Sequence, residues 1–238
     1  MKISLNRIQI KYIAIIAMLV DHVAWLFVSL YSPAGQIMHF IGRLTGPTMA
    51  VFIAEGYRYT RNVNKYTIRL AVFALISWPC FSLMDYGRIV PHFGMIFTLL
   101  LALLCIRLWD SDINLGVKLA GIALLALLSE YGDWPYYGIA YAMIAHIWYD
   151  DRSTRWTLHT CVAVLDVVLL ALEMVAMGRA PYWALFETGV LMVAPMFVYL
   201  YNGKGGSKHP FHKWFFYLFY PLHMLVLWYI NYFSPLGK

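Results

Sequence analysis

The chain has 238 residues, of which 62% are hydrophobic and only 13% are charged, and its formal net charge is +6. Soluble globular domains carry about 25% charged and about 45–50% apolar residues. The composition therefore excludes an ordinary soluble domain and indicates an integral membrane protein. The three cysteines form no C-x-x-C pair, so neither a disulfide framework nor a zinc site is indicated.

Apolar runs of about 20 residues predict membrane-spanning helices, and nine such runs are present. They lie at 9–31, 36–57, 67–85, 92–109, 114–130, 134–149, 156–177, 182–201 and 212–233. The fifth and sixth runs are the shortest, and the first continues without a cleavage site, so it reads as a retained span and not a signal peptide. We expect an all-α, polytopic helical bundle, with one membrane domain over residues 1–238.

The second run is expected to be broken or bent. It contains the stretch GRLTGPT at 42–48, which combines two glycines with a proline. Proline removes a backbone hydrogen bond from a helix, and membrane helices tolerate this only where neighbouring protein or a cavity satisfies the freed group.

The placement of lysine and arginine predicts the orientation, because these residues are enriched in cytoplasmic loops. A cytoplasmic N-terminus places fourteen of them inside and three outside. The inside set is Lys2, Arg7, Lys11, Arg58, Arg61, Lys65, Arg69, Arg107, Lys118, Arg152, Arg155, Lys204, Lys208 and Lys213, and the outside set is Arg88, Arg179 and Lys238. The asymmetry predicts a cytoplasmic N-terminus and an external C-terminus.

Four ionisable residues fall at similar predicted depths in three different spans. The first span contains Asp21 and His22 within MLVDHVAW, the second contains Arg43, and the ninth contains His223. A charge at that depth costs several kcal/mol unless it is paired or hydrated, so these side chains should face the bundle interior. We predict that they form a catalytic centre in which His22 is a general base or an acyl acceptor.

The pairing within this group is open from sequence alone. Adjacent helical residues point about 100° apart, so Asp21 either orients His22 or pairs with Arg43 while His22 meets His223 or a backbone carbonyl. Arg43 or His223 is the predicted stabiliser of the oxyanion. The alternative is a buried polar cluster that only holds the helices together.

Two basic cytoplasmic segments are candidates for phosphate binding. The first follows the second span, and the second is YNGKGGSKHPFHK at 201–213; their candidate ligands are Arg58, Arg61, Lys65, Arg69, Asn202 and Lys204. Basic side chains and glycine-rich backbone suit phosphate groups, although the positive-inside rule alone also explains the charge. Glu55, Glu130 and Tyr131 are predicted to contact substrate, while a solvated outer loop is the default for the last two.

The chain resembles the TraX family over roughly residues 10–230. The resemblance is carried, in order, by MLVDHVAWLF, IGRLTGPTMAVFIAEGYRYTRNVNKYTIRLAVFALIS, FTLLLALL, SEYGDWPYYGIAYAMIAHIWY and YNGKGG followed by KWFFYLFYPLHMLVL. The family is named for an acetylase of conjugative pilin and looks related to the integral membrane acyltransferases. The resemblance implies transfer of an acyl group, usually acetyl from acetyl-CoA, to an acceptor.

Family motifs fall on defined positions of this chain. They are Asp21 with His22, Gly42 with Arg43, Glu55 with Gly56, Asn202 with Gly203 and Lys204, and Tyr220 with His223. The chain departs from the pattern at Gly94, four residues before Thr98, where the family leads us to expect asparagine. We interpret this departure as a sign of a different acceptor.

Together, the residues and the resemblance predict a multi-pass acyltransferase of the bacterial cytoplasmic membrane. Cytosolic acetyl-CoA would approach the basic inner loops with its thioester directed to His22, and Tyr220 joins the predicted CoA-binding residues. The acceptor is a glycan, a lipid-linked molecule or a peptide N-terminus; membrane lipid is a partner, and no metal or nucleic acid is expected. Two alternatives are a proton-coupled transporter, with the buried residues as a relay, and a non-catalytic assembly partner.

Overall fold

The computed structural model describes residues 4–233, which are largely helical. Its α-helices are α1 (Arg7–Phe27), α2 (Pro33–Gly42), α3 (Thr45–Tyr59), α4 (Val63–Tyr86), α5 (Met95–Trp109), α6 (Leu115–Leu128), α7 (Tyr137–Ile147), α8 (Arg152–Ala176), α9 (Val193–Pro195) and α10 (Pro210–Phe233). A 3-10 helix (Pro181–Met192) and a π-helix (Met196–Leu200) flank α9 and form with it the irregular 181–200 segment. Lys2 and Lys238, used in the orientation prediction, lie outside the described residues.

The break predicted in the second span lies between Gly42 and Thr45. Pro47 falls in the first turn of α3, where a missing N–H is tolerated. The hydroxyl of Thr45 donates to the carbonyl oxygen of Ala14 in α1 at 2.8 Å, so a neighbouring helix holds the break in place. The interruption makes Arg43 the C-terminal cap of α2.

Helices occupy all nine predicted runs, but they differ in length. Within residues 4–233, five stretches are long and apolar enough to cross a membrane: Arg7–Phe27, Pro33–Tyr59, Val63–Tyr86, Arg152–Ala176 and Pro181–Leu200. Helix α6, with 14 residues, rises only about 21 Å, less than the roughly 30 Å of a hydrocarbon core. The all-helical fold with membrane-length helices is confirmed, while the count of nine spans and the cytoplasmic N-terminus stay predictions.

The described residues form two compact units. Unit 1 comprises residues 4–48 and 156–233; within it α1 packs against α2 and α10, and α2 packs against the 181–200 segment. Unit 2 comprises residues 49–155, in which α5 packs against α4, α6 and α7. The single domain expected over residues 1–238 stays a prediction.

Two glycines allow close helix approach inside unit 1. A Cβ added at Gly42 would overlap the side chain of Asp21, and one added at Gly189 would overlap the carbonyl oxygen of Phe40. Only a residue without a side chain leaves room for these contacts. Helix α1 and the 181–200 segment therefore both approach α2 beside Arg43.

Candidate active site

A pair of buried histidines joins α1 to α10 in unit 1. Nδ1 of His22 lies 2.8 Å from Nε2 of His223, and the two ring planes are within 8° of parallel. This contact requires one nitrogen to donate and the other to accept. The two rings therefore cannot both be doubly protonated while the contact persists.

A backbone carbonyl determines the direction of this hydrogen bond. Nδ1 of His223 lies 2.8 Å from the carbonyl oxygen of Phe219, which can only accept, so this nitrogen carries a hydrogen. In neutral His223, Nε2 is then an acceptor. His22 must donate to it from Nδ1, which leaves the lone pair of the neutral His22 ring on Nε2. These two hydrogen bonds thus make Nε2 the basic nitrogen of His22.

A second buried group is built around Asp21. Its Oδ1 accepts a hydrogen bond from Nδ1 of His39 at 2.8 Å, and its Oδ2 accepts one from Nη2 of Arg43 at 2.8 Å. Nη1 of Arg43 also lies 3.5 Å from Oε2 of Glu187. None of these four side chains is more than 13% exposed. The guanidinium between two carboxylates is the arrangement that a buried charge needs.

The four predicted catalytic residues therefore all lie in unit 1 and pair in one of the ways left open. Asp21 pairs with Arg43 and does not bond to His22, whose partner is His223. His39 was missed from the predicted site, although it lies one helical turn before Arg43, on the same face of α2. Glu187 was also left out, although it is a lone acidic residue in the eighth run. The catalytic roles of the four residues stay predictions.

The predicted phosphate-binding residues Asn202 and Lys204 lie in a loop that is joined to the segment before α1. The N–H of Asn202 donates to the carbonyl of Leu5 at 3.0 Å, and the N–H of Arg7 donates to the carbonyl of Lys204 at 2.9 Å. The Asn202 side chain donates to the hydroxyl of Ser4 at 3.1 Å and accepts from the N–H of Lys204 at 2.9 Å. Asn202 therefore stabilises the loop itself, whereas Lys204 is exposed.

The remaining predicted binding residues are divided between the units. Tyr220 is buried in α10 of unit 1, where its ring centroid lies 5.9 Å from that of His223. Unit 2 contains buried Glu55 near the end of α3, and Glu130 and Tyr131 in a short 3-10 helix after α6. The four predicted phosphate-binding residues that follow the second span also lie in unit 2; they are Arg58, Arg61, Lys65 and Arg69. Their contacts with substrate or CoA stay predictions.

These helices and this buried centre define a helical membrane protein with paired charges and a histidine pair in its interior. The chain belongs to the TraX family, because the family model described as TraX protein matches residues 6–231. It is also similar to the probable fimbrial assembly protein FimC, serogroup H1, of Dichelobacter nodosus. The two are 33% identical over 235 residues, which cover 94% of this chain and 95% of that protein. No solved structure matches the chain significantly.

The departure from the family pattern at Gly94 falls on a helix cap. Gly94 is the N-cap of α5 and supplies no side-chain hydrogen bond there. Asparagine is among the best N-cap residues, because its side chain accepts from a free N–H of the first turn. Helix capping therefore gives a second explanation for an asparagine at position 94. The first is our interpretation that its absence reflects a different acceptor.

Proposed function

We propose that the chain is an integral membrane acyltransferase that moves an acyl group, acetyl being the expected one, from acyl-CoA to a hydroxyl or amine acceptor. The observation that carries this proposal is the buried His22–His223 pair. Its hydrogen bonds leave a lone pair on Nε2 of His22. One nitrogen of the neutral His22 ring donates to His223, and the other is basic. Such an imidazole is suited to general-base or nucleophilic catalysis.

In the general-base route, Nε2 of His22 removes the proton of the acceptor hydroxyl or amine as that atom attacks the thioester carbonyl. The tetrahedral intermediate collapses with cleavage of the carbon–sulfur bond, and the CoA thiolate takes the proton from His22. Nδ1–H of His22 donates to His223 throughout, which stabilises the transient imidazolium. In the covalent route, the same Nε2 first attacks the thioester and displaces the CoA thiolate. The acceptor then attacks the acyl-imidazole and releases Nε2 of His22, and the proton that the acceptor loses passes to the thiolate.

We assign Asp21, His39, Arg43 and Glu187 a positioning role in this reaction. Asp21 immediately precedes His22 on α1, and its carboxylate is held by two groups from α2. These bonds fix the rotation of α1 about its axis and with it the direction of the His22 ring. Arg43 already faces two carboxylates and His223 already faces His22, which favours this role over oxyanion binding.

The relative from Dichelobacter nodosus is named as a fimbrial assembly protein. This name, together with the family, supports a fimbrial or pilin subunit, or a glycan on it, as the first acceptor to test. A peptide N-terminus and a sugar hydroxyl are the two chemical forms that such an acceptor would present.

Replacement of His22 by alanine tests the proposal. General-base catalysis typically supplies 10²–10⁴-fold, so His22→Ala should lower acetyl transfer by at least about two orders of magnitude in purified protein supplied with acetyl-CoA. The matched control is His212→Ala, because His212 also lies in unit 1 but bonds to Tyr12 outside the buried centre. Thermal melts of both variants separate chemistry from folding.

A folded His22→Ala protein that transfers acetyl near the wild-type rate would remove His22 from the mechanism. Buried Asp, His and Arg groups also form proton relays in transporters. Substrate flux in proteoliposomes, without consumption of acetyl-CoA by the wild-type protein, would instead establish the transporter alternative.

A further inference from the structure

A cluster in unit 2 is not used by the mechanism above and was not predicted as a unit. Tyr149 lies in the turn between α7 and α8, and two arginines approach its ring. The guanidinium carbon of Arg58 is 4.1 Å from the ring centroid and that of Arg155 is 5.4 Å from it. The backbone carbonyl of Tyr149 accepts from Nη1 of Arg155 at 2.9 Å. We call Arg58, Tyr149 and Arg155 the Tyr149 clamp.

The tyrosine of the clamp is fixed and uncharged at neutral pH. Its hydroxyl shares a hydrogen bond of 2.7 Å with the hydroxyl of Tyr59. Burial, this hydrogen bond and the charge of Glu55 raise the pKa of Tyr149 to about 12. The ring therefore adds no negative charge beside the two guanidinium groups.

The exposed carboxylate of Asp150 forms an ion pair with Arg58, one of the two arginines. Nη2 of Arg58 lies 3.2 and 3.3 Å from the two carboxylate oxygens of Asp150, longer than the 2.7–2.9 Å of strong charge-assisted bonds. The Asp150 side chain is 80% exposed and that of Arg58 is 43% exposed. Exposed ion pairs of this kind contribute little to stability. Another anion can therefore replace Asp150 at small cost.

The spacing of the arginines suits an anion with two charged centres. The guanidinium carbons of Arg58 and Arg155 lie 4.1 and 5.4 Å from one ring centroid, so they are at most about 9.5 Å apart. Arginine recognises phosphate through paired N–H donors and packs on aromatic faces at the same time. One arginine suits a single phosphate group, and two on a common ring suit a diphosphate.

We propose that the Tyr149 clamp binds the diphosphate of the acyl-CoA donor, and that Asp150 occupies Arg58 until the diphosphate displaces it. This proposal rests on the proposed function. It selects Arg58 from the predicted phosphate-binding residues and adds Arg155 and Tyr149, which were not predicted to bind phosphate. When the Asp150 carboxylate leaves Arg58, the diphosphate takes its place. Binding and release of the diphosphate are therefore an exchange of anions on Arg58.

The test is the affinity of free CoA for purified protein in phosphatidylcholine nanodiscs, measured by calorimetry. Arg58→Gln and Arg155→Gln should each weaken CoA binding about 10- to 100-fold, since each removes hydrogen bonds to a charged group. Asp150→Asn should tighten binding about two- to five-fold, since it removes the competing ion pair. Effects of opposite sign from the two partners of one ion pair distinguish a ligand site from a structural contact.

The control for Asp150→Asn is Asp151→Asn, which removes the same charge one residue further on. Asp151 accepts from the N–H of Thr154 at 3.0 Å, and asparagine preserves such a cap. Equal tightening by both variants would reduce the effect to general electrostatics and overturn the proposal. Unchanged CoA affinity in Arg58→Gln, with a lowered melting temperature, would make the pair a structural contact and overturn it too.

Anionic lipid headgroups share the phosphate chemistry, so a second arm uses nanodiscs that contain phosphatidylglycerol. If Arg58→Gln removes bound phosphatidylglycerol, seen by native mass spectrometry, and leaves CoA affinity unchanged, the clamp is a lipid site and the proposal fails. A wild-type protein that binds no CoA overturns the clamp and the proposed function together. If the wild-type protein binds CoA and Arg58→Gln, Arg155→Gln and Asp150→Asn bind it equally well, the clamp alone is overturned.

Discussion

Replacing Arg43 by glutamine removes the one guanidinium that lies between two buried carboxylates. Asp21 loses its 2.8 Å hydrogen bond from Arg43 and keeps the one from His39. Glu187 loses its 3.5 Å contact with Arg43. Breaking a buried pair by removing one member typically costs about 3–5 kcal/mol, because a charge remains without compensation. We expect Arg43→Gln to lower the free energy of unfolding by about that amount.

The carboxylates should differ in their effects. Asp21→Asn leaves Arg43 beside Glu187, so its cost should be smaller than that of Arg43→Gln. Glu187→Gln removes only the 3.5 Å contact and leaves Arg43 paired with Asp21. No buried charge then loses its closest partner, so the cost should be well below that of Arg43→Gln. The double variant Asp21→Asn with Arg43→Gln should be less destabilised than the two single effects summed, because it also removes the charge that Arg43→Gln leaves unpaired.

Reversible unfolding in mixed micelles, followed by tryptophan fluorescence, provides the free energies of unfolding of the wild type and of these four variants. The control is Arg88→Gln, which removes a charge from an exposed position between α4 and α5. Additive effects of Asp21→Asn and Arg43→Gln, or an Arg43→Gln protein as stable as the wild type, would refute the reasoning. The buried ion pair would then contribute nothing to the fold.

His223→Phe removes the acceptor for its histidine partner and should lower turnover about 10- to 100-fold, as loss of an orienting group commonly does, with the KM for acetyl-CoA unchanged. Tyr149 should titrate near pH 12 in ultraviolet difference spectra, and Tyr59→Phe should lower that pKa. Because the raised pKa adds stability below pH 10 that is lost as pH rises through about 12, Tyr149→Phe should flatten the loss of stability in this range. An accessibility tag inserted near Gly205 should report the cytoplasmic side and one near Gly178 the opposite side. Tags on the same side would contradict the predicted eighth span, and an external tag near Gly205 would contradict the predicted orientation.

Much of the fold was predictable because membrane-length apolarity is a local property of the chain. The nine runs coincide with helical stretches, and GRLTGPT identified the break before Thr45. The number of membrane-spanning helices was harder to predict, because the short helices α6 and α7, with 14 and 11 residues, are as apolar as the longer ones. How far a short helix extends into a bilayer depends on its packing, which composition does not describe.

The burial of Asp21, His22, Arg43 and His223 within one unit was predictable, because a charge in an apolar span is costly unless it is paired. Their pairing was not, since it depends on the rotation of three helices. The tautomer of the histidine pair depends on the carbonyl of Phe219, and every residue has such a carbonyl. A sequence pattern contains no sign of which one will be used.

The histidine pair also bears on how the protein is made. Its two members are 201 positions apart in the chain, whereas Asp21 and Arg43 are only 22 apart. At a synthesis rate of about 5–20 residues per second, Arg43 is made about 1–4 seconds after Asp21. His223 is made about 10–40 seconds after His22. A nascent chain that stalls before α10 can therefore form the Asp21–Arg43 pair and still lack the His223 partner of His22. Under the proposed function, His22 is oriented only when α10 packs against α1, so loss of that packing alone should leave the ion pair formed and the protein inactive.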